Sequence, residues 1–168
     1  PTKALLKSAQ VYEYAKHAAT YGINVENPTP NFGGVITRSR GVADKMSKGI
    51  QFLMKKNKID VIMGTGKLIA ATKMEVTAAD GTKQIVEAKN IIIATGGRAR
   101  ALPTMPIDGK KIVGYREAMV LPEQPRSMIV CGSGAIGSEF AYFYNSMGTK
   151  VTMVEFMPRL VPVEDEDI

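Results

Sequence analysis

Ser127-Met128-Ile129-Val130-Cys131-Gly132-Ser133-Gly134-Ala135-Ile136-Gly137 decides the fold. Five residues of strand character run straight into glycines spaced Gly-x-Gly-x-x-Gly, and Ile136, Phe140, Phe143 and Met147 then recur at helical intervals. Lys150 to Glu155 has strand character again, so the stretch predicts a βαβ unit with a glycine turn between its first strand and its helix. Gly132 permits the tight turn, Gly134 lets backbone amides approach a pyrophosphate, and Gly137 lets the helix pack close to the strand. The helix N-terminus then offers partial positive charge to the phosphates. Glu155 stands about twenty residues beyond Gly134, where a carboxylate accepts hydrogen bonds from both ribose hydroxyls of the adenosine and repels a 2′-phosphate. A glycine pattern alone is weak evidence, but two strands, a helix and a terminal acid in this order predict dinucleotide binding, NAD rather than NADP. Arg159 raises the opposite possibility, yet it follows Phe156, Met157 and Pro158 and does not replace the acid. The first strand reads as buried, with Cys131 a small hydrophobe and not a nucleophile.

Upstream, Leu5, Ala9, Tyr12, Ala15 and Ala19 have helical spacing from Pro1 to a C-terminal cap at Gly22, and His17 falls off that stripe, on the surface. Turn and breaker residues fill 24–31. A second amphipathic helix then carries Val35, Val42, Met46, Ile50 and Leu53 up to Asn57, with Arg40, Lys48 and Lys55 on its far face. From Asp60 the period changes to that of short strands: Val61 to Met63, Lys67 to Ala71, Lys73 to Ala78 and Gln84 to Ala88, with a hairpin about Asp80-Gly81. Ile91-Ile92-Ile93, followed by Ala94-Thr95-Gly96-Gly97, predicts a strand buried on both faces that ends at a glycine turn. Prolines at 103, 106, 122 and 125 mark the junction, with one short helix at Tyr115 to Val120.

Composition narrows the classes. A chain of 168 residues, 45% hydrophobic and 23% charged, holds one or at most two small domains. No apolar stretch approaches the roughly 18–20 residues that cross a bilayer, and no short apolar stretch follows a basic start as a signal peptide would require, which predicts a soluble, cytoplasmic protein without a membrane partner. One cysteine and one histidine exclude a zinc site of the usual Cys and His spacing, and no metal is predicted. The net charge of +6 is spread over many positions and opposed by the acidic run Glu164 to Asp167, so it reads as a solvated surface and not as a nucleic-acid patch. The ten methionines read as flexible core filling. Pro1 at one end and Ile168 at the other look like the ends of a piece cut from a longer chain.

Three separated segments, Pro1-Thr2-Lys3-Ala4-Leu5-Leu6, Ile91 to Gly97, and Gly132 to Glu139 with Glu155, together resemble the dihydrolipoamide dehydrogenase family of pyridine nucleotide-disulfide oxidoreductases. The resemblance covers essentially the whole chain. It implies an α/β fold made of parts of two Rossmann-like nucleotide-binding domains, FAD then NAD, with an antiparallel β-meander. Residues 1–111 would belong to the FAD-binding domain and 112–168 would form the first βαβ unit of the NAD-binding domain. It implies FAD and NAD as cofactors, Lys3 beside the flavin, and close approach of FAD to Gly66 and to Thr95, Gly96 and Gly97, although family members often carry serine at the last position. The dinucleotide site would be lined by Gly132, Ser133, Gly134, Ala135, Ile136, Gly137, Ser138, Glu139 and Glu155. Glu139 matches a family glutamate near the nicotinamide and flavin, which predicts a Lys3–Glu139 ion pair; by sequence alone the two read as a solvated first-turn lysine and a helix-face carboxylate.

No catalytic residue is expected among these residues. The family's redox-active cysteine pair would lie before Pro1, and its His-Glu acid/base pair after Ile168. The implied partners are a lipoamide-type dithiol, a second copy of the full-length chain in a homodimer, and a 2-oxoacid dehydrogenase complex. Three alternatives stay open: another pyridine nucleotide-disulfide oxidoreductase, a simple NAD-dependent dehydrogenase, which leaves Thr95-Gly96-Gly97 unexplained, and an inactive fragment or binding module.

Overall fold

Leu5 and Ala9 are wholly buried on α1 (Thr2–Lys16), and Phe140, Phe143 and Tyr144 are buried on α4 (Ala135–Ser146). These two helices pack on each other, and their apolar faces close one hydrophobic cluster with Phe32, Ala118 and Met147. The computed structural model describes residues 1–165 and 167, so Glu166 of the acidic run and the terminal Ile168 lie outside the described residues. The chain divides into two compact units, one of residues 1–46 with 99 onward, the other of residues 47–98.

In the first unit α1 is followed by a single 3-10 turn over Ala18–Tyr21 that ends at Gly22 with φ 72°. The predicted helix therefore shortens. Of its stripe, Leu5 and Ala9 are buried, Tyr12 and Ala15 half-buried and Ala19 exposed, because the cluster ends before the last turn. His17 is exposed, as its position off the stripe predicts. Arg38 on α2 (Phe32–Lys56) ties the two helices by donating to the Ala4 carbonyl at 2.8 Å and to the Ser8 hydroxyl at 3.2 Å. Arg40, assigned to the solvated face, is half-buried. The short α3 (Tyr115–Ala118) accepts the Tyr144 hydroxyl on its Ala118 carbonyl at 2.6 Å, and burial pushes that phenol up to about 12.

β4 (Ser127–Cys131) and β5 (Lys150–Val154) pair in parallel, Ser127 opposite Lys150 and Cys131 opposite Val154, joined by α4. This is the βαβ unit that the glycine spacing predicts. Its strands alternate exposed and half-buried, with Met128 and Val151 packed on the cluster and Ile129 70% exposed. The predicted burial of the whole first strand is thus corrected: one sheet face meets α4 and the other is uncovered, which leaves Cys131 exposed as well. Ile136 is likewise exposed: it shares the helical stripe of Phe140 and Phe143 but stands in the first turn of α4, outside the cluster.

In the second unit β1 (Thr65–Ala70), β2 (Lys73–Thr77) and β3 (Lys83–Glu87) form an antiparallel meander. Its second hairpin turns where Asp80-Gly81 predicts, with the Asp80 carboxylate accepting the Thr82 amide at 2.9 Å and Gly81 at φ 86°. Two expectations fail. Val61 to Met63 forms no strand, and Ile91-Ile92-Ile93, predicted as a doubly buried strand, lies outside any strand, with Ile92 89% and Ile93 69% exposed. A parallel strand is buried by neighbours on both edges, and among the described residues no strand pairs with this one. For the same reason Met46, Ile50 and Leu53 on α2 are exposed: periodicity names the apolar face without supplying what covers it.

Candidate functional site

Gly132 leaves β4 at φ +100°, a conformation that L side chains rarely adopt, and its amide donates to the Val154 carbonyl at 2.8 Å. The turn is thereby bonded to the end of the neighbouring strand. Two residues on, Gly134 starts α4 with no side-chain cap, so the first-turn amides keep no acceptor within the helix. A Cβ built on Gly134 would meet nothing within 4 Å, whereas one on Gly137 would lie 2.1 Å from the Gly132 carbonyl oxygen. The helix therefore approaches its own turn as closely as backbone allows, and the outer side of the loop is open. An open loop, an uncapped helix start and an acid on the next strand are what a pyrophosphate and a ribose diol require, so the residues present fit a dinucleotide.

Glu155 closes the site from the end of β5. Its Oε1 accepts the Met157 amide at 2.9 Å, and its Oε2 accepts both the amide and the hydroxyl of Ser133 at 2.8 Å each. Those hydrogen bonds, the Met157 amide first, hold its carboxyl down at about 2. The Ser133 hydroxyl also accepts the Val161 amide at 3.1 Å, and the Ser133 carbonyl accepts the Ser138 hydroxyl at 2.9 Å. Arg159 directs its guanidinium to the carbonyls of Glu164, at 2.7 Å, and Pro162, at 3.4 Å.

Lys3 on α1 pairs with Glu139 Oε1 on α4, two residues past Gly137, as predicted. The lysine side chain is 83% exposed and the glutamate 28%. Lys3 also borders a shallow depression with Leu6, Lys7, Gln10 and Tyr142. The first unit thus holds the Lys3–Glu139 pair and, on the loop from Gly132 to Ser138, the Ser133–Glu155 contact, with Ala135 and Ile136 exposed at the helix start.

Gly66, Thr95, Gly96 and Gly97 belong to the second unit. Gly66 lies in β1 opposite Val76, where a Cβ would meet the Met74 sulfur at 2.8 Å. Thr95 is exposed, Gly96 has φ +75°, and Cβ atoms at Gly96 and Gly97 would meet nothing within 4 Å. Sequence reasoning singled out Gly66 and passed over Gly64, whose Cβ would lie 2.5 Å from the Thr77 carbonyl oxygen; its only signal is its place just before a strand. The clasp of Ser133 on Glu155 and Val161 was likewise not anticipated.

A family model described as pyridine nucleotide-disulphide oxidoreductase matches residues 1–168. The chain is 48% identical, over its whole length, to a dihydrolipoyl dehydrogenase of Chlorobaculum parvum, of which it covers 36%. A crystal structure of LpdA from Mycobacterium tuberculosis superposes with a TM-score of 0.89 at 30% identity, over 99% of this chain and 37% of that one. The flavoprotein disulfide reductase RclA from Escherichia coli superposes with a TM-score of 0.75 at 27% identity, over 100% of this chain and 34% of that one. The chain therefore spans little more than a third of the length of these relatives.

Proposed function

Because the chain belongs to the pyridine nucleotide-disulphide oxidoreductase family, we propose that it is part of a dihydrolipoamide dehydrogenase. In such an enzyme a lipoamide-type dithiol is oxidised with electrons passing through a disulfide and FAD to NAD, groups that supply the redox chemistry when bound. The observation that carries the nucleotide half of this reading is the glycine turn, closed on itself at Gly137, open at Gly134 and flanked by a carboxylate. Residues 1–111 are assigned to a Rossmann-like FAD-binding domain, and 112–168 to the first βαβ unit of an NAD-binding domain.

In this assignment the amides from Gly134 to Gly137 bind the pyrophosphate, and Glu155 orients the adenosine ribose. Lys3, its ammonium largely in solvent and steered by Glu139, places positive charge beside the flavin. Gly66 and Thr95 to Gly97 let backbone approach FAD. The thiol chemistry is assigned to a cysteine pair before Pro1, and acid/base work to a His-Glu pair after Ile168, in a cytoplasmic homodimer that serves a 2-oxoacid dehydrogenase complex. A polypeptide of residues 1–168 alone is then expected to turn over no dithiol. The second reading, a sibling disulfide reductase, is favoured by the likeness to RclA.

Flavin absorbance, NADH binding and NAD-dependent oxidation of dihydrolipoamide, measured on the whole protein, test the proposal. All three are expected. Flavin and NADH binding without dihydrolipoamide oxidation would select the sibling reductase, and NADH binding by a colourless protein would overturn the flavoprotein reading.

A further inference from the structure

Ser133 is wholly buried, yet it packs no core. Its side chain joins three pieces of backbone: it belongs to the glycine turn, donates to Glu155 Oε2 at the end of β5, and accepts the Val161 amide from the segment beyond. With the Ser133 amide on the same oxygen, Glu155 Oε2 takes both donors of Ser133, while Oε1 accepts the Met157 amide. A carboxylate has about four lone-pair sites, so Oε1 keeps acceptor capacity for a ligand while Oε2 is fixed to the turn. An alanine at 133 would leave one donor on Oε2 and strip the Val161 amide of its acceptor.

We propose that Ser133 is the positioning residue for nucleotide choice: its hydroxyl anchors the Glu155 carboxylate so that the site takes a dinucleotide with a free adenosine-ribose diol and rejects one with a 2′-phosphate. The inference rests on the dinucleotide reading of the loop. Arg159 meanwhile turns Nη2 of its guanidinium to the Glu164 and Pro162 carbonyls. The Glu155 carboxylate is held by hydrogen bonds from Met157, Ser133 and Phe156 and not by a charged neighbour.

The test measures NADH and NADPH affinities by nucleotide fluorescence on the whole protein, without turnover, for wild type, Ser133→Ala, Ser133→Thr, Glu155→Gln and the Ser133→Ala/Glu155→Gln double variant. Ser133→Ala is expected to lower the preference for NADH about tenfold, the scale of one hydrogen bond to a charged group. Ser133→Thr should restore the preference, and in the Glu155→Gln background Ser133→Ala should change it no further. Equal weakening of both nucleotides by Ser133→Ala, or the same shift when Glu155 is already glutamine, would overturn the proposal while leaving the dinucleotide site intact. Should Ser133→Ala fail to fold, Ser133→Cys decides, since a thiol of similar size is only a weak donor: a preference reduced toward that of Glu155→Gln supports the anchor, and one equal to wild type overturns it. A wild-type protein that binds neither nucleotide would instead remove the site itself.

Discussion

Gly134 and Gly137 share one motif, but the space around them separates two roles. Alanine at 137 would drive a methyl to 2.1 Å from the Gly132 carbonyl, so helix or turn must move. Gly137→Ala is expected to cost about 1–3 kcal/mol of stability, read by thermal denaturation, and to weaken NADH as well. Gly134 has φ −64°, which alanine adopts freely, and open space outside it. Gly134→Ala should keep the melting temperature and lose NADH affinity, because the methyl meets only the ligand; a drop in both would assign this glycine to the fold. Glu155 makes a prediction of its own. Its carboxyl is depressed in the folded chain from an ordinary 4.5 to about 2, so its contribution is present above pH 4.5 and is lost as pH falls toward 2. The melting temperature of wild type should therefore fall more steeply through that window than that of Glu155→Gln. The Lys3–Glu139 pair is too exposed to matter for stability: Lys3→Ala should cost less than about 1 kcal/mol, and any larger effect should appear in the flavin spectrum.

At the scale of elements, α4 both presents the loop and anchors it. Phe143 and Tyr144 stack edge to face with centroids 5.0 Å apart, and the Tyr144 hydroxyl ends on the Ala118 carbonyl. Tyr144→Phe leaves that buried carbonyl without its donor and should cost about 1–2 kcal/mol in denaturant unfolding, with the NADH-to-NADPH preference unchanged. The outline of this βαβ unit is legible in the sequence because strand, glycine turn and helix each have a local signature within a few residues. The Ser133 clasp is not, since Val161 lies 28 positions away and no periodicity links a turn serine to a later amide. Burial is the other blind point. Ile129 alternates as a strand residue should, but whether its face is covered depends on a layer that its own spacing does not specify.

Across the whole molecule, both units leave apolar faces open. Ile129 and Val154 lie on the uncovered side of the β4–β5 sheet, and Ile92 and Ile93 stand out on the other unit. Monomeric soluble proteins rarely expose contiguous apolar patches beyond a few hundred Å². Lone exposed isoleucines are ordinary, but a β-branched triplet that reads as a doubly buried strand and leaves two of its three side chains bare has the character of a surface meant to be covered. A polypeptide of residues 1–168 should accordingly bind the dye ANS strongly and self-associate as concentration rises. Replacing Ile92 and Ile93 together by lysine should reduce both effects without disturbing NADH binding, because the glycine turn belongs to the other unit. A monomeric, dye-silent 1–168 polypeptide would show that these side chains find cover within the chain. The triplet would then be an ordinary extended segment, and its strand signature would owe nothing to a parallel sheet.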